Sequence, residues 1–247
     1  MLAPGRLSPL VVVADRRWDA DVVTLPVKAV LFDWRGTLVV TMSESAWVER
    51  ALQQTGRDSS PDAVARINVA LAAAMEHPDV QRTWDRVDES ADVHRETYTR
   101  LFRVAGLDAD LGHALYTIES DPAYNPIADD VPETLTALTA AGVQVGIVSD
   151  IHFDLRPALA DAGLADLVDS LVLSYEHGVQ KPNPQIFRVA LDRLGVKHAD
   201  TLMVGDRASH DGAAVELGIP TILVPPLTTT SHRRLSVALR ACGIPTN

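Results

Sequence analysis

Residues 30–38 read VLFDWRGTL, and this stretch decides the fold. An apolar run without polar alternation, Val27–Phe32 with one lysine in it, stops at Asp33; Gly36 and Thr37 follow close behind. Short continuous apolar runs read as strands buried on both faces. The same pattern recurs downstream. Val143–Val148 stops at Ser149, and Leu171–Leu173 leads into Ser174. Thr201–Val204 runs into Gly205-Asp206, and Thr221–Val224 meets Pro225-Pro226.

Helical patterns separate these runs. Asp130-Val131-Pro132-Glu133 predicts a helix capped by Asp130, with Val131, Leu135 and Leu138 on one face and Gly142 ending it. Asn183-Pro184 opens a second, with Phe187, Ala190, Leu191 and Leu194 on one stripe before Gly195. Asp154–Ala162 ends at Gly163, and Ser231–Ala241 reads as a surface helix. Strands alternating with helices imply parallel βαβ units, hence a three-layer, Rossmann-like α/β core. From about Val40 to Asn125 the pattern is helical only, around Ser43–Gln54, Pro61–Glu76, Thr83–Ala105 and Leu111–Ser120. The expected organisation is an N-terminal extension over 1–26, a core over 27–39 and 126–247, and a helical cap over 40–125 that acts as a lid. Within the extension, Leu10–Val13 reads as a short strand.

Composition narrows the function. With 22 basic against 33 acidic residues in 247, the formal charge is −11, which excludes generic binding to nucleic acid or anionic membranes. No apolar run reaches the length of a membrane span. The apolar stretch Leu10–Ala14 is too short for a secretory signal and runs into Asp15-Arg16-Arg17. The single Cys242 excludes an internal disulfide and fits a reducing, cytoplasmic setting. The chain is expected to be a monomer or a homodimer. Only Lys28, Lys181 and Lys197 are lysines, so each one carries information.

In open parallel sheets ligands bind beyond the carboxyl ends of the strands. Asp33, Ser149 and Asp206 each follow a strand directly and should converge on that edge. Any one alone reads equally well as a helix or turn cap; the joint arrangement does not.

In these residues the chain resembles the haloacid dehalogenase-like superfamily of hydrolases. That family's first motif is an apolar strand followed by D-x-D-G-T, matched here by Asp33, Gly36 and Thr37. Its second is a strand ending in Ser or Thr, here GIVSD with Ser149. Its third is a Lys before a helix, here GVQKPNPQIF with Lys181. Its fourth is G-D-x-x-x-x-D, here VGDRASHDGA with Asp206 and Asp211. The match runs over roughly residues 27–225. It implies a Mg²⁺-dependent enzyme acting on a small phosphorylated metabolite. Asp33 would be the nucleophile, forming an aspartyl-phosphate that splits hydrolysis into two steps. Asp33, Asp206 and the backbone carbonyl of Arg35 would hold Mg²⁺, with Asp211 in support. Ser149 and Lys181 would hold the phosphate. Gly36, Thr37 and Asp150 would shape the substrate site.

One departure is chemically serious. The family's second aspartate, an acid and then a base, is replaced by Arg35. Arginine stays protonated at any working pH. Three readings follow. The substrate can have a leaving group that needs little protonation, such as an acyl, aryl or anhydride phosphate, with Arg35 stabilising its charge. Another group, Asp150 or His152, can carry the proton, although His152 also reads as a plain loop histidine. Or the chain keeps binding and has lost turnover, as a regulatory protein. Other branches also lack that aspartate. Phosphonate-cleaving members share a D-W-A-G-T motif but need a cap lysine, and residues 39–125 contain none. Dehalogenases usually lack the acidic fourth motif, which this chain keeps.

The remaining features are weaker. Arg50, Arg57, Arg66, Arg82, Arg86, Arg95, Arg100 and Arg103 offer positive charge to an anionic substrate or, more simply, are solvated helix charges. Trp47 and Trp84 read as packing residues of the insertion rather than as substrate platforms. His210 reads as a helix-start histidine. No histidine spacing matches a zinc site.

Overall fold

A computed structural model of the chain describes residues 11–13 and 27–246. Six strands form one sheet: β1 (Val11–Val13), β2 (Ala29–Phe32), β3 (Gln144–Ser149), β4 (Ser170–Leu173), β5 (Thr201–Gly205) and β6 (Thr221–Leu223). Their order is β1-β6-β5-β2-β3-β4, and every pairing is parallel. Of the expected strand at Leu10–Val13, residues 11–13 are β1 at one edge; Leu10 and the rest of the extension lie outside the described residues.

β2 is flanked by β5 on one side and β3 on the other, so the strand order reverses there and a crevice opens at its carboxyl end. The pleat explains the unbroken apolar runs. Val30 and Phe32 enter one core cluster with Leu135, Leu138, Val145 and Ile147. Ala29 and Leu31 enter the opposite one with Ile186, Phe187, Ala190 and Met203. Both faces are therefore dry.

The insertion after β2 holds five of the described helices: α1 (Glu44–Gln54), α2 (Pro61–Met75), α3 (Pro78–Trp84), α4 (Ala91–Val104) and α5 (Ala109–Glu119). They bury their own cluster, including Val48, Leu52, Leu71, Val80, Leu101, Phe102 and Leu115. The expected single helix over Thr83–Ala105 is broken. A 3₁₀ turn, Val87–Glu89, separates α3 from α4, and the Ser90 hydroxyl caps α4 by accepting from Val93 N at 3.1 Å. Tertiary bonds to the core impose the break. Asp88 N donates to Gln180 Oε1 at 2.8 Å, and Ser174 Oγ donates to Asp88 O at 2.6 Å.

The remaining helices are α6 (Val131–Ala140), α7 (Arg156–Asp161), α8 (Ser174–His177), α9 (Pro184–Leu194) and α10 (Ser236–Ala241). Asn183 caps α9 as expected, accepting from Gln185 N at 3.0 Å. Asp130 makes no side-chain cap bond on α6. Its Oδ2 accepts instead from Arg234 N at 2.6 Å and Leu235 N at 2.8 Å. This anchors the chain just ahead of α10, which begins five residues later than the sequence predicts. The segment opening at Asp211 is a 3₁₀ helix, with His210 at its N-cap position. Among the described residues no helix is long and apolar enough to cross a membrane.

Candidate active site

The carboxyl end of β2 places Asp33 beside the ends of β3 and β5. Asp33 N donates to Val204 O at 2.9 Å, which extends the ladder one residue past the strand and fixes the loop. Lys181 Nζ lies between two buried carboxylates, donating to Asp33 Oδ1 at 2.5 Å and Asp211 Oδ1 at 2.7 Å. Asp33 comes from the first motif, Lys181 from the third and Asp211 from the fourth. Lys181 is fully buried. Burial works against its charge, but Asp33 and Asp211 outweigh that and hold the ammonium above its ordinary range. Lys28, by contrast, pairs with Asp200 on the surface.

Thr37 Oγ1 donates towards Asp33 Oδ2 at 3.2 Å and lies 3.4 Å from Asp206 Oδ1. Gly36 (φ +83°) turns the loop back towards Asp206, and a Cβ there would collide with that carboxylate. A Cβ on Gly205 would likewise collide with Asp211. Arg207 N donates to Asp211 Oδ2 at 2.9 Å. Oxygens of Asp33, Asp206 and Asp211 lie within 4.8 Å of one another. Burial, then the charges of Asp33 and Asp211, pushes Asp206 up to about 6. Three converging carboxylates against one ammonium are a donor set that suits a hard divalent cation.

Ser149 Oγ is buried and has no hydrogen-bond partner among the described residues. Asp150 Oδ1 accepts from Lys181 N at 2.8 Å, so it positions the lysine's backbone. A cavity of about 730 Å³ is lined by Asp33, Arg35, Asp150, Asp206, Arg207 and Asp88 among others, and Ser149, Lys181 and Asp211 are not part of its wall.

A family model for haloacid dehalogenase-like hydrolases matches residues 27–218. The chain belongs to that family. A glyceraldehyde 3-phosphate phosphatase of Methanopyrus kandleri is 31% identical over 192 residues, covering 75% of this chain and 78% of the relative. The haloacid dehalogenase-like hydrolase domain-containing protein 3 of Danio rerio is 30% identical over 197 residues, covering 76% and 80%. A crystal structure of a dehalogenase with an intermediate complex superposes with a TM-score of 0.63 at 21% identity, covering 91% of this chain and all of that one; this likeness is one of fold.

This haloacid dehalogenase-like hydrolase has a second cluster where the inserted helices meet the core. Arg35 leaves the first-motif loop and binds the end of α5. Its NH1 donates to Glu119 Oε1 at 2.5 Å, its NH2 to Glu119 O at 2.6 Å and its Nε to Asn125 Oδ1 at 3.2 Å. Burial opposes the charge, but Glu119 outweighs it and holds the guanidinium above its ordinary range. The other carboxylate oxygen of Glu119 lies 3.3 Å from His152 Nε2 and 3.5 Å from His94 Nε2. The two imidazoles stack with centroids 3.3 Å apart, which corrects the plain-loop reading of His152. Burial first, then neighbouring positive charge, lowers His94 to about 2 and His152 to about 3, so both rings are neutral.

Asp88 is the group that sequence reasoning missed. It lies about 4 Å from both imidazoles (3.9 and 4.0 Å). Burial, then the charges of Asp150 and Glu119, pushes it up to about 7. It sits in no motif, and only the 3₁₀ turn against Gln180 and Ser174 brings it to the cleft. Arg234 was also invisible. From the C-terminal tail it donates to Gly36 O at 3.1 Å and Thr37 O at 2.5 Å, bracing the first loop. None of the eight arginines singled out in the insertion lines this cleft. Arg57 pairs with Asp108, Arg82 with Asp79, Arg86 with Glu89 and Arg100 with Glu96.

Proposed function

We propose that this hydrolase is a Mg²⁺-dependent phosphatase of small phosphorylated metabolites, working through an aspartyl-phosphate at Asp33. The observation that carries the reading is Lys181 held between Asp33 and Asp211 at the switch point, with Asp206 alongside. The phosphatase relative adds support. Asp33, Asp206 and the Arg35 carbonyl would bind Mg²⁺, with Asp211 supporting. Once bound, the ion supplies positive charge where two anions must meet.

In the first step an Asp33 oxygen attacks phosphorus and the bond to the leaving oxygen breaks. Lys181 neutralises Asp33 and the phosphoryl group, and the Ser149 hydroxyl donates to a phosphoryl oxygen. Gly36 and Thr37 keep the loop open to the substrate, and Asp150 fixes Lys181. In the second step water attacks phosphorus, Asp33 leaves as carboxylate, and phosphate is released. The water's proton needs an acceptor, and Arg35 cannot serve. Asp88, poised near neutrality in the same cleft, takes that role. Residues 40–125 act as a cap over this chemistry, in a cytoplasmic setting.

The test is intact mass after brief incubation with Mg²⁺ and acetyl phosphate. Wild type gains one phosphate, Asp33→Asn gains none, and Arg35→Asp clears the adduct faster. An equal adduct on Asp33→Asn, or none on any variant together with no phosphate release, overturns the reading.

A further inference from the structure

A second cavity, of about 270 Å³, lies inside the inserted helices. Its walls are Trp47, Trp84 and Tyr98 with Leu71, Met75 and Ile118. It shares Arg35, Thr41 and Met42 with the catalytic cleft, so the two chambers meet across the Arg35 side chain. The space is half open to the surface, with Thr41, Glu44 and Ala72 exposed at its rim. Here bonds outside the chamber hold the walls apart. Trp47 Nε1 donates to Leu115 O at 2.8 Å, and Tyr98 stacks on His94 with centroids 4.3 Å apart. Trp84 leans on Tyr98 at 5.8 Å. Trp47 and Trp84, read from sequence as packing residues rather than substrate platforms, are half-buried and line this space.

The polar groups around the chamber are few. Arg35 takes Glu119 Oε1 and Asn125 Oδ1, Glu44 sits exposed at the mouth, and Asn68 adds a buried, unpartnered Oδ1 to the wall. What remains is a mostly apolar, aromatic-walled space, which rewards a flat apolar group. A substrate with its phosphate at Asp33 and its body in this chamber must pass its leaving oxygen across Arg35. That fixed cation cannot give up a proton, but it stabilises an oxyanion. A phenolate leaves with far less need of a proton than an alkoxide does.

We propose that the chamber is the leaving-group site of aryl phosphate monoesters. This inference rests on the phosphatase reading and narrows it. In turnover Asp33 takes the phosphoryl group and the aryl C–O⁻ departs, paired with Arg35, to be protonated by solvent. The phosphates of triose sugars and of glycolate carry nothing to fill the chamber.

The experiment compares 1-naphthyl phosphate with glyceraldehyde 3-phosphate, 2-phosphoglycolate and phosphocholine on the full chain with Mg²⁺. It also measures binding of 1-naphthylmethylphosphonate, which is not hydrolysed, by tryptophan fluorescence. The expected kcat/KM for naphthyl phosphate exceeds that for each other ester by tenfold or more, and the phosphonate quenches Trp47 and Trp84. Ala72→Trp, which fills the chamber from an exposed position, and Leu71→Gln each cut the ratio of naphthyl phosphate to acetyl phosphate kcat/KM by about tenfold. Two variants guard against one that fails to fold. Equal or better turnover of any other ester overturns the inference and leaves the phosphatase reading standing. Quenching that both variants abolish, without hydrolysis of any phosphate, keeps the aryl site and sinks the phosphatase reading.

Discussion

The strand tips and the seam between insertion and core solve the same electrostatic problem differently. At the strand tips, Asp33 and Asp211 are buried and both accept from Lys181, at 2.5 and 2.7 Å, while burial still holds the Asp33 carboxyl above its ordinary range. Short backbone bonds such as Asp33 N to Val204 O set those positions. At the seam, Arg35 and Glu119 satisfy each other, while His94 and His152 are held neutral and Asp88 is pushed to about 7. The first cluster centres on one buried ammonium and is built into the sheet. The second sets one ion pair beside two neutral imidazoles, and it exists only while α4 and α5 sit against the loop after β3. The cation that the proposed mechanism uses is thus held by the sheet, and the proposed proton acceptor Asp88 sits at the seam, where burial shifts it.

The sharpest way to break that contrast is Lys181→Met. Turnover falls by about 10²–10³-fold with the loss of the phosphate-facing cation. Two buried carboxylates lose their partner at a cost of about 3–5 kcal/mol, lowering the melting temperature by roughly 10 °C. A variant that melts with wild type would show that the carboxylates simply take up protons, and the strand tips would then resemble the seam.

Asp88→Asn sharpens the comparison from the other side. Dephosphorylation of the Asp33 adduct, followed by mass, slows by about 10²-fold. The stability signature has a definite sign. Asp88 has a folded pKa of about 7, above its unfolded value of 3.8, so its stabilising share is present in acid and lost as pH rises through 7. In metal-free buffer Asp88→Asn therefore gains several degrees over wild type at pH 8 and little at pH 4. Equal shifts at both pH values would remove Asp88 from the list of proton carriers.

The smallest effect is expected for Glu119→Gln. The amide oxygen still accepts from Arg35, but the charge is gone and the guanidinium is freer to move. KM for an aryl phosphate changes by a few-fold while adduct formation from acetyl phosphate persists. Loss of the adduct would tie the seam directly to the strand-tip chemistry.

Local sequence carried the strand-tip site well. Asp33, Ser149 and Asp206 each close a run whose apolar pattern reports burial on both sheet faces, parallel topology brings such ends together, and Lys181 and Asp211 stood out through the third and fourth motifs. Asn183 capped α9 because an N-cap bond spans two residues and needs no distant partner. Asp130 had the same local signature, yet its carboxylate serves Arg234 and Leu235 a hundred positions away. The break after α3 was hidden for the same reason, since Gln180 and Ser174 stabilise it from the core.

What the residues alone determine is therefore the sheet, its order of chemistry-bearing ends, and the absence of a proton carrier at position 35. What only the tertiary structure decides is what surrounds that arginine. Glu119, Asn125, Asp88, His94 and His152 carry no motif, because their roles arise from burial and packing between elements far apart in sequence. The aromatic chamber beside them is equally silent in the sequence. A tryptophan that lines a cavity and one that fills a core have the same helical periodicity, and only the distance to the neighbouring wall tells them apart.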